Sequence, residues 1–491
     1  MRTKLYCTIL WFLSSFSFVL SRGSDDVCLP GENEKPFSCI VHAHSKLSGE
    51  GAYTLPELTE VAKKYDVDAI FLTDNLTYTL TYGLPPLRHI FWVNYSLGSI
   101  LKVGAANYLR GIESENKRQS DVLYIPGVEV CPRFYWVGSI VETNLVCHDN
   151  QRNLMVLGTY DKKVINGIPE ACGYLWGKNP VLIIVSRGGF LLFIFACAGY
   201  LFLPRILAGR SGYSRGTIKR AFAIGLIFPS LVLMIIVNMM ASFVHSLQIY
   251  ERNEDYLHEK KTLKYMQKNN LICYWAHPEA FDDQDFSRFR FHIHTDPYPG
   301  ILAATSGYSG FGGVYEDKNT LINPGAEWDG LLMDYIAGKR DNPVWTFGEM
   351  LYHYEGQAGK KLGNIETVIW AKEKTADALL KSIRSGRFYA RQNSSNQSLM
   401  LNKWMIRPSQ QGGKEVFAAV TSRVPGEKIS AQLICNGQVI KKITDVITPL
   451  DLSFPVVQTN DNSISYYRLM VTGKVPVRLV SNPLFTSLSR R

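Results

Sequence analysis

Two histidines separated by one residue, His42 and His44, leave the apolar run Ser38-Cys39-Ile40-Val41. Alternate residues of an extended segment point to the same side, so both imidazoles can face one point in space. Imidazoles converging in this way suit a divalent cation. One HxH is a weak motif, since two surface histidines at a strand end look the same. Other apolar runs, however, finish in residues of the same kind. The run 68–74 ends in Asp74, 122–129 ends in Glu129, 271–277 ends in His277, and 344–349 leads to His353. The run 154–158 is a further buried strand. Ligand-type residues delivered at the carboxyl ends of separate strands are how βα barrels build active sites, and this pattern outweighs any single motif.

What must position these residues is an alternation of strands and helices. Ser48-Gly49-Glu50-Gly51 makes a tight turn, and Thr54 is an N-cap, with Pro56 early in the helix and Glu57 completing a capping box. Leu58, Val61, Ala62 and Tyr65 recur at helical spacing, so a helix is expected to about Tyr65. Strand, helix, strand is a βαβ unit and seeds a parallel sheet. From Phe388 onward the pattern changes to short alternating strands (416–421, 429–435, 439–443, 466–471), with Asn436-Gly437 as a hairpin turn. This predicts a small β-sandwich; it contains no histidine, and Tyr466-Tyr467-Arg468 reads as packing.

At 491 residues the chain exceeds one typical domain. Residues 1–22, basic and then apolar, read as a signal peptide or an N-terminal anchor. The stretches 189–203 and 221–244 have the length and apolarity of bilayer spans, with Pro204 ending the first and Pro229 a kink in the second. Arg205, Arg210, Arg215, Lys219 and Arg220 fill the loop between them without an acidic residue. By the positive-inside rule that loop is cytoplasmic and both flanks are periplasmic, extracellular or lumenal. Much of the net charge of +10 sits in this loop, so nucleic acid is not an expected partner, whereas a lipid bilayer is. Residues 250–269 read as a charged, solvated helix leading back to the next strand. No CxxC pair occurs among the nine cysteines; Cys28 with Cys39 and Cys131 with Cys147 are candidate disulfides or buried thiols.

The ordered set His42-Ala43-His44-Ser45, Ser48-Gly49-Glu50-Gly51, Thr73-Asp74, Gly127-Val128-Glu129 and Ala276-His277-Pro278 resembles the PHP (polymerase and histidinol phosphatase) domain. Tyr466-Tyr467-Arg468 and Ser481-Asn482-Pro483-Leu484-Phe485 resemble its carbaryl-hydrolase-like branch, so the likeness covers residues 39–485 outside the apolar hairpin. It implies an α/β fold: a distorted (β/α)7 PHP barrel (36–180 and 249–387) with a C-terminal β-sandwich (388–491), the barrel being interrupted by the two-helix transmembrane hairpin (181–248) that the apolar stretches predict. It also implies divalent metal ions (Mn, Zn or Mg). His42, His44 and Glu129 would hold the first, Glu129 would bridge to a second held by His277, and Glu50 and His353 would serve a third. Asp74 would ligate or orient a ligand, and Asp74, Glu129 and His353 are the implied catalytic residues.

The chain departs from the pattern in three places. Asn75 stands where a histidine usually follows Thr-Asp, and Asn153 where one precedes the strand at 154, with His148 near enough to substitute. Leu351-Tyr352-His353 replaces Asp-x-His, leaving Glu349 as the nearest carboxylate. An asparagine carbonyl favours harder cations over zinc. A second HxH, His292-Ile293-His294, is expected to line the barrel mouth, and the aromatic-rich segment 78–110 to form a lid. Sequons occur at Asn75, Asn94, Asn393 and Asn396, and a glycan on Asn75 would argue against catalysis. The expectation is a membrane-anchored metal-dependent hydrolase acting on a small-molecule ester or phosphate ester. The alternative is a catalytically degenerate PHP-fold binding module.

Overall fold

The computed structural model describes residues 28–486, apart from 78, 86–87, 89–90, 170–179, 208–213, 245–249, 251, 253–254, 287–289, 396 and 457–463. The signal or anchor expected at 1–22 lies outside the described residues. Seven short strands lie side by side in chain order: β1 (Lys35–Ala43), β2 (Ala69–Leu72), β3 (Leu123–Val130), β4 (Leu154–Leu157), β5 (Ile272–Trp275), β6 (Gly310–Val314) and β7 (Trp345–Gly348). They are parallel except β4, which runs antiparallel to both β3 and β5. The parallel sheet seeded by the βαβ unit is thus interrupted at one strand. The chain between β3 and β4 makes outer strands (Tyr135–Val137, Leu145–His148) in place of a crossover helix, so it returns antiparallel.

Both faces of this sheet are apolar, which is why the strands read as unbroken hydrophobic runs. Val41, Phe71, Ile125, Met155, Tyr274 and Phe347 pack together on one face. Ile40, Ile70, Tyr124, Val156, Trp275 and Phe311 face helices on the other. The first helix is Leu55–Lys64, with Thr54 as N-cap and the reciprocal Thr54–Glu57 capping box. Past β7 the chain comes back to β1. Ala43 and Tyr352 form a parallel bridge, and His44 N–H donates to the Tyr352 carbonyl at 2.9 Å.

On the other side of β1 the sheet continues antiparallel into β8 (Ile365–Ala371) and β9 (Phe388–Gln392). From β9 it passes to Arg478–Ser481, Tyr466–Thr472 and Lys428–Cys435. A second sheet (Leu399–Pro408, Lys414–Ser422, Leu450–Pro455) faces those strands over a core that includes Trp404, Leu433 and Leu469. The sandwich expected from 388 is thus two-layered, but one layer is hydrogen-bonded into the main sheet. Buried Arg468 donates twice to Asp329 (2.7 and 2.6 Å), whose carboxylate also accepts from Tyr466 Oη.

Two helices are long and apolar enough to cross a membrane, over Gly188–Leu207 and Arg215–Ile236. Most of their surface is uncovered, unlike that of core helices. The first continues past Pro204 to Leu207, because a proline in the last turn removes one hydrogen bond without blocking the turn it ends. Pro229 follows a π-helical turn at Ala223–Ile227, whose wider spacing accommodates the ring beside the preceding carbonyls. The helix expected at 250–269 covers Leu257–Lys268 and is not simply solvated, since His258, Glu259 and Met266 are buried. Where the chain leaves the sheet for the apolar helices and where it returns, it touches itself: Thr262 Oγ1 donates to the Pro169 carbonyl at 3.0 Å. Cys39, Cys131 and Cys147 are free buried thiols.

Candidate metal centre

The carboxyl end of β1 carries His42 and His44, both buried. Their Nε2 atoms lie 3.2 Å apart, and His44 Nε2 is 3.2 Å from Glu129 Oε2 on β3. His277, just past β5, has its ring nearly parallel to that of His42 at 6.0 Å between centroids. His353, after β7, stacks on His44 at 4.5 Å. Glu50, from the turn behind β1, approaches His44 Nδ1 to 3.8 Å. Three overlapping groups result, each with its donor atoms within 4.8 Å of one another: His42, His44 and Glu129; His42, His277 and Glu349; His44, Glu50 and His353.

Asp74 belongs to none of these groups. Its oxygens accept from Ser45 N–H (2.8 Å), Ser45 Oγ (2.7 Å) and Ser48 Oγ, so it fixes the turn that leads to Glu50. His148 joins none of these groups among the described residues either. It pairs in register with His294 in a small outer sheet and stacks on Tyr135. His294 contacts Asp283 and Asp296 there and is a member of none of the three groups. The two asparagines that depart from the expected pattern donate their amides to acids of the cluster: Asn75 Nδ2 to Glu50, and Asn153 Nδ2 to Glu129. Asn75 is therefore engaged inside the site.

Glu349 stands out in the sequence only as a neighbour of His353, and the structure gives it a larger part. Fully buried, it accepts from His42 Nδ1 (2.6 Å) with one oxygen and from the His277 backbone N–H (2.7 Å) with the other. The second bond holds His277 at φ +25°, a left-handed conformation that costs a non-glycine residue about 1–3 kcal/mol. Gly312 leaves the space for this carboxylate, because a Cβ there would collide with Glu349 Oε2. A glycine two positions into one strand and a glutamate just past the next were the available signal. Only the pairing of β6 with β7 joins them.

Burial opposes charge on His42, but the Glu129 and Glu349 carboxylates outweigh it and push the imidazole up to about 9. Glu129 is also buried, yet His42 and His44 hold it far below the usual carboxylate range. Burial and neighbouring His44 push His353 down to about 3. Burial raises Glu50 to about 7, against the pull of His44. Burial also lowers His277. Both ring nitrogens of His277, and Nδ1 of His44, are buried without a hydrogen-bond partner. Orphaned lone pairs among carboxylates are costly as they stand and suit a cation. The His/Glu set therefore has the composition and convergence of a divalent-metal site.

No protein-family model matches the chain, and no curated protein matches it. Among solved structures it is similar to a two-domain protein from Bacteroides vulgatus containing a predicted PHP-like metal-dependent phosphoesterase. The identity is 10% and the TM-score 0.34, over 92% of this chain and 88% of that one. At that level of likeness the chemistry rests on this chain's own residues.

Proposed function

We propose that the protein is a membrane-anchored, metal-dependent hydrolase of phosphate esters, built on a distorted seven-stranded PHP barrel. The observation that supports this best is the convergence of four histidines and three glutamates with unpartnered imidazole nitrogens. His42, His44 and Glu129 would hold one divalent ion, and His277 would serve a second beside it. Glu50 and His353 would serve a third position. Such ions supply Lewis acidity at the phosphoryl oxygens and a water of lowered pKa. The chain's own contribution is orientation: Glu349 fixes the His42 ring and the His277 backbone, while Asp74 fixes the turn behind Glu50. A water oxygen bonds to phosphorus as the ester P–O bond breaks, and the water's proton ends on the departing oxygen. Where no third ion is held, His353, half-buried at the edge of the cluster, would meet that oxygen. The two apolar helices anchor this domain, with the basic loop between them cytoplasmic. A cysteine placed at Ser214 that reacted with an impermeant maleimide on intact cells would reverse that orientation.

A second reading draws on Asn75 and Asn153, whose amides engage Glu50 and Glu129 where further ligands are expected. It makes the protein a non-catalytic binding module. Elemental analysis of the detergent-purified chain, with an aryl phosphate assay in added manganese or zinc, separates the two. Bound metal, with turnover lost in His42→Ala and Glu129→Gln, supports the hydrolase. A metal-free, inactive wild-type chain supports the binding module.

A further inference from the structure

Three of the strands that end in site residues run on directly into a separate outer layer. After Asp74 the chain forms the hairpin Thr79–Gly83 and Trp92–Ser96, whose root is pinned to the cluster: Leu76 N–H donates to the Glu129 carbonyl at 2.9 Å. The chain leaving the hairpin at that root packs on Glu50, for a Cβ on Gly98 would lie 2.6 Å from Glu50 Cγ. After Glu129 come the outer strands Tyr135–Val137 and Leu145–His148, and after His277 come Asp282–Phe286 and Phe291–Thr295. These pieces share a small core of their own, with Leu80, Tyr82, Phe134, Trp136, Phe291 and Ile293 among its members. The layer therefore stands over the ligand-bearing ends of the strands.

The same layer meets the apolar helices. Phe91 at the hairpin turn packs edge-on against Phe190, at the outer start of the first span, with centroids 4.6 Å apart. Tyr250, where the chain emerges after the second apolar helix, accepts from the Gly83 N–H of the hairpin through its hydroxyl at 2.6 Å. It also carries the Arg88 guanidinium over its ring at 3.9 Å. Both ends of the membrane excursion are thus fastened to the layer that covers the site. The layer and its connections also expose apolar side chains: Val141 is 84% and Phe281 58% accessible, and Val93 and Val137 are exposed as well. Apolar side chains exposed on a layer that is joined to both ends of a span are ones a bilayer interface absorbs.

From this continuity of cluster, outer layer and span we infer that the site opens toward the bilayer holding the apolar helices, and that its substrate is a phosphate ester carried on a lipid headgroup. The inference rests on the hydrolase reading above and adds the source of the substrate. Hydrolysis of a lipid phosphomonoester would break the P–O bond to glycerol, leaving the lipid alcohol in the membrane and releasing inorganic phosphate to water. A phosphodiester headgroup would release its alcohol or its phosphomonoester in the same way, with one water consumed.

The test uses the full chain in phosphatidylcholine vesicles with manganese. Phosphatidic acid and phosphatidylglycerol in those vesicles are compared with their deacylated counterparts, glycerol 3-phosphate and glycerophosphoglycerol. At least one lipid should be turned over about tenfold faster than its deacylated partner, since confinement to one surface raises the effective concentration. Val141→Asp and Phe281→Asp, both exposed and outside the cluster, should lose that advantage while aryl phosphate hydrolysis is unchanged. Equal or faster turnover of the deacylated compounds, or lipid turnover indifferent to both variants, would overturn the lipid assignment and leave the hydrolase standing. No turnover of any phosphate ester by metal-loaded protein would remove both.

Discussion

Glu349 is the residue on which the centre's geometry turns, although it lies one layer behind the ring nitrogens that face each other. Removing it frees the His42 ring and the strained His277 backbone at once. Glu349→Ala should therefore lower metal affinity about 10–100-fold, the usual cost of losing a partner that orients a ligand. Competition with a chromogenic chelator measures this, and unchanged affinity would reduce Glu349 to a core residue. Gly312→Ala, which drives a methyl into the same carboxylate, should reproduce the loss. His42, His44, Glu129 and His277 were legible in the sequence because each ends an apolar run and strand periodicity aims it. Asp74 ends a run in the same way, yet its oxygens go to Ser45 and Ser48. Spacing gives the direction of a side chain and not the donors waiting for it. Asn75 and Asn153 could be read as missing ligands, but their donation to Glu50 and Glu129 depends on contacts 25 and 24 positions away.

Among the elements, the helix Leu257–Lys268 that follows the apolar hairpin has a buried face, and that face carries a titrating group. Burial, with Arg133 and Lys261 nearby, pushes His258 down to about 4. The unfolded chain takes up a proton near 6.5, so the native state is favoured fully above that pH and loses this contribution as pH falls through about 4. His258→Gln should flatten the fall in melting temperature between those two values, and a curve parallel to the wild type would exclude His258 as its source. The charged residues of this segment suggested full solvation. The apolar positions Leu263 and Met266 show the packed face, which a run dominated by Glu and Lys hides. The antiparallel turn of β4 was equally hidden, since a four-residue apolar run has no direction until its partners are known.

At the scale of the whole molecule, a buried ion pair adds to the sheet hydrogen bonds that tie the C-terminal strands to the seven-stranded region. Arg468 and Asp329 are both buried, and the guanidinium also lies over Trp328 at 4.8 Å. Arg468→Met should cost about 3–5 kcal/mol by stranding the Asp329 charge. The double variant Arg468→Met with Asp329→Leu should recover much of that, and equal losses in chemical denaturation for single and double variants would contradict the pairing. The sequence showed these strands as a unit of their own because turn signals and alternation are local. Register between Tyr389 and Ser481, which makes them part of the main sheet, is not. The same contrast applies to the contact between Thr262 and the Pro169 carbonyl, 93 positions apart. A segment whose two ends meet is a guest in its host: the sheet closes around it without depending on it, and a short Gly/Ser bridge could take its place. The hairpin proposed above as an anchor is therefore removable in principle, and its excision would leave the strands of the sheet still in order.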